Sequence, residues 1–193
     1  MDSKSEIILF RWWQSMFMSP KQLKEKGIIP APSTYKAQLK RCENVEMAML
    51  TEGFRDLWFS LPDEISLSDS PAKLEYWATM AATLVYVKSN SDITLAVAAG
   101  KKGGGNKSVV SELRFSQLQN AKTPNELLRR LRQVLQRVKG NISVLALARD
   151  IEEWFAEYGQ LRPCKADKRI KVKWVMDYYR AASGKSVDLS NFH

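Results

Sequence analysis

Apolar residues recur at intervals of three and four along most of the chain, and strict alternation of apolar and polar residues is rare. In the first segment, Ile7, Phe10, Trp13 and Phe17 share one helix face, and Pro20 ends the pattern. This spacing is typical of amphipathic α-helices, whereas half-buried strands alternate at every second residue. The sequence therefore predicts an all-α fold.

The same spacing predicts a series of further helices, bounded by prolines, glycines and capping residues. Residues 93–99 form a short apolar run that suits either a strand or a helix, and we favour a helix. Residues 23–32 are predicted as a connector and residues 65–70 as a polar loop. The other predicted helices cover residues 33–42, 45–58, 71–87, 109–118, 124–139, 144–158 and 167–182.

The most distinct helix start is the run Thr123-Pro124-Asn125-Glu126. Thr123 supplies an N-cap hydroxyl, and proline suits the first helical position. Glu126 stands three residues after the cap, which completes the pattern of a capping box. We expect a helix that begins here, runs to Lys139 and stops at Gly140.

A glycine-rich and basic segment, GKKGGGNK, divides the predicted helices into two groups. Consecutive glycines carry an entropic cost that disfavours regular structure, so the segment is predicted to be a flexible loop. The chain is therefore expected to form two small helical-bundle lobes. They are an N-terminal lobe at 1–99 and a basic C-terminal lobe at 108–193, joined by the loop at 100–107.

The net charge of +9 is unevenly distributed. Residues 1–100 contain 11 Lys and Arg against 12 Asp and Glu, a net charge of −1. Residues 101–193 contain 19 against 9, a net charge of +10. Clustered cations attract polyanions, because their contacts with phosphates release condensed counterions without reading the base sequence. The asymmetry indicates nucleic acid as a partner, although a merely solubilising surface is the alternative.

Cations occupy the helix faces that apolar residues leave open. In the helix at 124–139, Leu127, Leu131 and Val134 belong to an apolar seam, and the arginines lie on the remaining surface. Such a surface suits a sugar-phosphate backbone, because phosphate contacts position a protein while base contacts specify sequence. The candidate nucleic-acid-binding residues on this helix, the loop and the last helix are Lys101, Lys102, Lys107, Arg129, Arg130, Arg132, Arg137, Lys168, Arg169, Lys171 and Lys173.

Exposed aromatic residues in nucleic-acid-binding proteins can serve as base-stacking surfaces. The tryptophans at 13, 58, 77, 154 and 174 all fit apolar helix faces, so most are predicted to be core. None is predicted to be a stacking platform.

Enzymatic functions find little support in the sequence. The glycine loop misses the nucleotide-binding P-loop pattern by one position, because Asn106 separates Gly105 from Lys107. His193, the last residue, is the single histidine, which leaves little for histidine-based catalysis or metal binding. Asp150, Glu152 and Glu153 suit a metal-dependent nuclease, but acids near a helix start more often complement the helix dipole. We therefore expect no enzyme activity, no metal and no cofactor.

The cellular location is expected to be the cytoplasm. The longest apolar runs fall short of the roughly 20 residues that a membrane span needs, and no secretory signal is apparent. Cys42 and Cys164 are too few and too far apart for a disulfide framework or a four-ligand zinc site.

Four segments of the C-terminal half together resemble a known family. They are residues 111–118, residues 126–132, the Leu-Ala-Arg-Asp-Ile run at 147–151 with Trp154, and residues 172–180. The last contains Lys173-Trp174-Val175-Met176-Asp177-Tyr178-Tyr179-Arg180. Their order and spacing are similar to those of the small subunit of the type I-E CRISPR Cascade complex, also called CasB. Weaker similarities occur at 12–14 and 37–41, while the glycine loop and the connector at 159–166 depart from the family pattern.

The resemblance implies a two-lobed helical, non-catalytic protein, present as two copies stacked head-to-tail in an antiviral complex. It implies guide RNA, target DNA, the displaced strand, the Cascade large subunit and the backbone subunits as partners, with a role in stabilising the R-loop. Guide–target pairing supplies the sequence specificity in such complexes, so backbone contacts suffice for this subunit. The basic positions matched to the family are Lys40, Arg41, Arg114, Arg129, Arg130 and Arg132.

Two other functions remain open on sequence grounds. One is a helix-turn-helix regulator, which would be expected to bind a defined DNA site as a symmetric dimer. The other is the metal-dependent nuclease that Asp150 and Glu153 suggest.

Overall fold

The computed structural model describes residues 1–160 and 165–184, so the predictions about Cys164 and His193 lie outside the described residues. Helices dominate these residues, which confirms the all-α fold class. The helices are α1 (Ser3–Phe17), α2 (Pro20–Glu25), α3 (Ser33–Arg41), α4 (Val45–Met49), α5 (Glu52–Ser60), α6 (Asp63–Ser66), α7 (Pro71–Leu84), α8 (Leu95–Gly100), α9 (Glu112–Gln119), α10 (Pro124–Arg137), α11 (Val144–Tyr158) and α12 (Ile170–Ala182).

The N-terminal helices are more numerous and shorter than the spacing predicted. Pro20 follows the end of α1 but also starts α2, because Ser19 and the Gln22 side chain form a capping box around it. The stripe at 45–58 is two helices, since Thr51 caps α5 through the backbone N–H of Phe54. Local capping by Ser and Thr therefore divides segments that apolar periodicity alone treats as continuous.

Helix α7 lies at the centre of the hydrophobic core. Its residues from Trp77 to Leu84 are all buried. The two threonines among them, Thr79 and Thr83, donate their hydroxyls to carbonyls of the same helix. Helices α4 and α5 from the N-terminal half pack against it, and so do α10 and α11 from the C-terminal half. Both halves of the chain thus contribute to one contiguous core.

Two very short strands, β1 (Ser89–Asn90) and β2 (Asn141–Ile142), pair in parallel and join the turns that follow α7 and α10. Gly140 makes this approach possible. A Cβ atom added there would lie 2.3 Å from the Tyr86 carbonyl oxygen, and its φ of +68° is a conformation that favours glycine. The sequence patterns did not reveal these strands.

Helix α8 confirms the helical prediction for the apolar run at 93–99, and it packs extensively against α12. The contact is close at Gly100, where an added Cβ atom would lie 2.1 Å from the Tyr178 carbonyl oxygen. The division into two lobes stays a prediction. A boundary at Gly100 would, however, separate α8 from α12, its main packing partner.

Candidate nucleic-acid interface

Three of the predicted arginines line one groove between α9 and α10. Arg114 lies on α9, while Arg130 and Arg137 lie two turns apart on α10. The groove has a volume of about 450 Å³. Its walls also carry Leu113, Gln117, Gln133 and Gln136.

Neutral side chains hold Arg130 at this groove. Its Nη1 donates to the Oε1 atoms of Gln117 at 2.9 Å and Gln133 at 3.2 Å. None of the three groove arginines forms an ion pair with a described carboxylate. The groove therefore keeps its positive charge uncompensated, which suits an anionic ligand such as a phosphate backbone.

The start of α10 follows the predicted capping pattern in part. The Thr123 hydroxyl accepts the Glu126 backbone N–H, and Pro124 occupies the first turn. The Glu126 carboxylate, however, accepts the N–H of Lys122 at 2.8 Å rather than that of Thr123. The capped start fixes where α10 begins and hence which of its residues face the groove.

Arg132 does not project from α10 as predicted. Its guanidinium donates to the carbonyl oxygens of Cys42 at 2.6 Å, Leu39 at 2.9 Å and Ala82 at 3.1 Å. It also lies over the ring of Tyr86, 5.1 Å from the centroid. Arg132 thus joins α10 to the last turn of α3 and to α7, and its donors are engaged within the fold.

The physical reason is the width of the apolar face of α10. Leu128 is buried together with Leu127 and Leu131, although the predicted seam omitted it. At about 100° per residue, Arg132 lies roughly 40° from Leu128, at the edge of the packed face. Arg129 lies near the middle of the exposed face and makes no hydrogen bond or ion pair with any described residue.

A second group of cations surrounds the end of α3, where the sequence predicted Lys40 and Arg41. Arg41 is exposed, and Lys40 is half-buried, with its ammonium 5.8 Å from the Tyr86 centroid. Burial lowers the pKa of Lys40, and the nearby charges of Lys36 and Lys88 lower it further. A bound anion would reduce the electrostatic repulsion among these lysines.

Sequence reasoning missed Lys36 and Lys88. Lys36 lies one turn before Lys40, so the helical spacing offered a signal for it. Lys88 follows α7 and reaches this site only through tertiary packing, which no sequence pattern indicated.

The glycine-rich segment forms a hydrogen-bonded hairpin between α8 and α9. Gly103 N–H donates to the Lys107 carbonyl at 2.8 Å, and Val109 N–H donates to the Lys101 carbonyl at 2.9 Å. At its base, the Tyr178 hydroxyl donates to the Val110 carbonyl at 2.6 Å. The predicted Lys101, Lys102 and Lys107 are all exposed on this hairpin.

The cations of the last helix divide into two kinds. Lys168 and Arg169 precede α12 and Lys171 lies in its first turn, and all three are exposed. Lys173 instead pairs with Glu153 of α11 at 2.8 Å. Burial alone would lower the pKa of Lys173, but the hydrogen bond to Glu153 and the surrounding carboxylates raise it.

The acids that suggested a nuclease have separate partners. Asp150 accepts the indole N–H of Trp174 at 2.8 Å, and burial raises its pKa to about 6. Glu153 is bound to Lys173. Within the described ranges, no group of three or more His, Cys, Asp or Glu residues is arranged to hold a metal.

No described helix is both long and apolar enough to cross a membrane.

The fold and these surfaces define an all-helical protein whose exposed cations form several groups, at the α9–α10 groove, α3, the hairpin and the start of α12. The chain belongs to the family of CRISPR-associated protein Cse2, whose model matches residues 35–179. This confirms the resemblance seen in the sequence.

A solved structure supports the fold. The chain is similar to one chain of the Escherichia coli Cascade complex bound to a PAM-containing double-stranded DNA target, with a TM-score of 0.62 and 16% sequence identity. The similarity covers 95% of this chain and 100% of the other. A comparison with curated proteins finds no match.

Proposed function

We propose that this protein is the non-catalytic small subunit of a type I-E Cascade complex, in which it binds the backbones of guide RNA and target DNA. The observation that carries the proposal is the α9–α10 groove, where Arg114, Arg130 and Arg137 converge without a carboxylate partner among the described residues. Family membership and the shared fold support it.

The role proposed is stabilisation of the R-loop, including the displaced strand. Guide–target pairing supplies sequence specificity in such a complex, so a subunit that holds phosphates stabilises every target alike. The α3 cations and the hairpin lysines provide further backbone contacts. The proposed protein partners are the large subunit, the backbone subunits and a second copy of this chain.

The test compares two triple variants that remove equal charge. The first is Arg114→Ala, Arg130→Ala and Arg137→Ala; the control is Lys21→Ala, Lys24→Ala and Lys26→Ala, which changes exposed positions in and after α2. Binding of DNA is measured across a salt series for the full chain and for the reconstituted complex. The groove variant should lower affinity for all sequences and reduce the log–log salt slope by about two to three units, at roughly 0.7–0.9 per lost contact.

Three results would count against the proposal. Equal losses in the two variants would show that net charge matters and the groove does not. A strong preference for one duplex sequence would favour a regulator, and magnesium-dependent DNA cleavage would favour a nuclease.

A further inference from the structure

A cleft of about 800 Å³ lies between the end of α11 and the start of α12, apart from the α9–α10 groove. Aromatic and cationic side chains share its walls. Ligand pockets typically span about 300–1,000 Å³, so a nucleotide fits this volume. The described lining residues used in the argument are Lys122, Trp154, Glu157, Tyr158, Arg169 and Lys171.

Two stacked rings form the aromatic wall. Trp154 and Tyr158 lie one turn apart on α11, with their centroids 5.0 Å apart and their planes 13° from parallel. Trp154 is only 7% exposed, whereas Tyr158 is 49% exposed. Tyr158 is therefore the outer ring of a stack whose inner ring is fixed in the core. A rigid, solvent-facing ring suits the stacking of a further planar group.

Three cations line the same cleft as this ring. Lys122, Arg169 and Lys171 are exposed, and none of their side chains forms a hydrogen bond or ion pair with a described residue. The acid of the cleft, Glu157, is engaged, because its Oε1 accepts the backbone N–H of Ile170 at 2.6 Å. The described walls of the cleft thus carry three cations against one carboxylate, beside an aromatic face.

We propose that this cleft binds an unpaired nucleotide of a single strand, with the base stacked on Tyr158 and adjoining phosphates on Lys122, Arg169 and Lys171. The inference rests on the proposed function in assuming that the chain meets nucleic acid, and it adds a base contact to the backbone contacts. Every base has a π-face, so such a site is sequence-tolerant and agrees with a subunit that does not read sequence. It also discriminates unpaired from paired bases, because a paired base is stacked within its own helix.

The experiment separates stacking from charge. Binding of the full chain is measured to an oligonucleotide and to an abasic strand of the same length and phosphate number. We expect the strand with bases to bind about five- to a hundred-fold more tightly. Tyr158→Ala should abolish this preference, and Tyr158→Phe should keep it. Tyr179→Ala is the matched control, because Tyr179 is 48% exposed on α12 but does not line the cleft.

A second variant keeps the test valid if Tyr158→Ala fails to fold. Lys122→Ala with Lys171→Ala changes exposed side chains only and should weaken both strands by the same factor. Equal binding of the two strands by the wild-type chain overturns the stacking site and leaves the backbone-binding function standing. Failure to bind either strand overturns both. Loss of complex assembly in Tyr158→Ala with unchanged strand preference would assign the cleft to a protein partner and overturn the proposal.

Discussion

Two regions of α10 carry the same residue type in opposite settings. On the outer face, the Arg129 side chain makes no hydrogen bond or ion pair with a described residue, and Arg130 is held by neutral glutamine amides. At the inner edge, Arg132 donates to carbonyl oxygens of α3 and α7. A basic residue on an amphipathic helix therefore binds a ligand or stabilises the fold depending on whether the neighbouring helices offer it hydrogen-bond acceptors. Carbonyls at the end of a helix, which lack intrahelical donors, attract a guanidinium into the fold.

The largest loss of stability is expected from truncating a side chain of the apolar seam that underlies both regions of α10. Leu131 is fully buried, and Leu131→Ala should lower the free energy of unfolding by about 2–5 kcal/mol through lost burial and a cavity. Chemical or thermal unfolding measures it. The control is Leu113→Ala, because Leu113 is 70% exposed at the groove. A loss for Leu131→Ala no greater than that of the control would show that α10 packs differently.

The next largest loss of stability is expected from replacing Arg132, at the inner edge of α10. Arg132→Ala removes the side-chain donor to the carbonyls of Cys42 and Ala82 and leaves the Leu39 carbonyl with the Cys42 thiol as its donor. Unfolding measurements should show a loss of about 2–3 kcal/mol. Arg132→Lys should recover part of this, because an ammonium replaces the charge but not the planar fork.

A contrary outcome for Arg132 is easily recognised. If Arg132→Ala unfolds like the wild type while DNA affinity falls, this side chain leaves α3 to bind the ligand, and the inner region belongs with the outer one.

Sequence reasoning succeeded where the signal is local. The apolar spacing and the Thr123 cap located α10, and the predicted core tryptophans are buried, with Trp13 donating to the carbonyl of Val87. The spacing also placed Arg129, Arg130 and Arg137 outside the predicted apolar seam.

Failures arose where the signal is non-local. The partners of Arg132 lie 50 to 93 residues away in sequence, and Lys88 reaches the α3 cations only through the packing of α7. The aromatic cleft needed α11 and α12 to be placed together, so Tyr158 did not stand out among other aromatic residues. Periodicity describes one helix at a time, whereas these features depend on pairs of helices.

A partly buried acid, Asp150, provides a third setting, in which desolvation disfavours the charged form. The folded pKa of Asp150 is about 6 against an ordinary value of 3.8. The folded state therefore favours the protonated carboxyl, and its contribution to stability is greatest below about pH 4 and is lost as pH rises to about 6. Asp150→Asn, which is always neutral, should match the wild type near pH 4 and exceed it by about 1–3 kcal/mol at pH 7.

Unfolding measured from pH 4 to pH 7 tests this expectation. Glu153→Gln is the control, because it neutralises a neighbouring carboxylate that is nearly half exposed in its pair with Lys173. Identical pH profiles for wild type and Asp150→Asn would mean that folding does not raise the pKa of Asp150.

The smallest effect on stability is expected from replacing Arg129, which is exposed on the outer face of α10, in contrast to Arg132. Arg129→Ala removes an exposed side chain outside any packing or cap, so the free energy of unfolding should change by no more than about 0.5 kcal/mol. Its loss should instead weaken DNA binding for all sequences alike and lower the salt slope by about 0.7–0.9, the share of one phosphate contact. Melting and DNA affinity, measured side by side for Arg129→Ala and Arg132→Ala, decide the matter. If Arg129→Ala melts early and binds normally, the outer face of α10 is a packing surface and the two regions have been assigned the wrong way round.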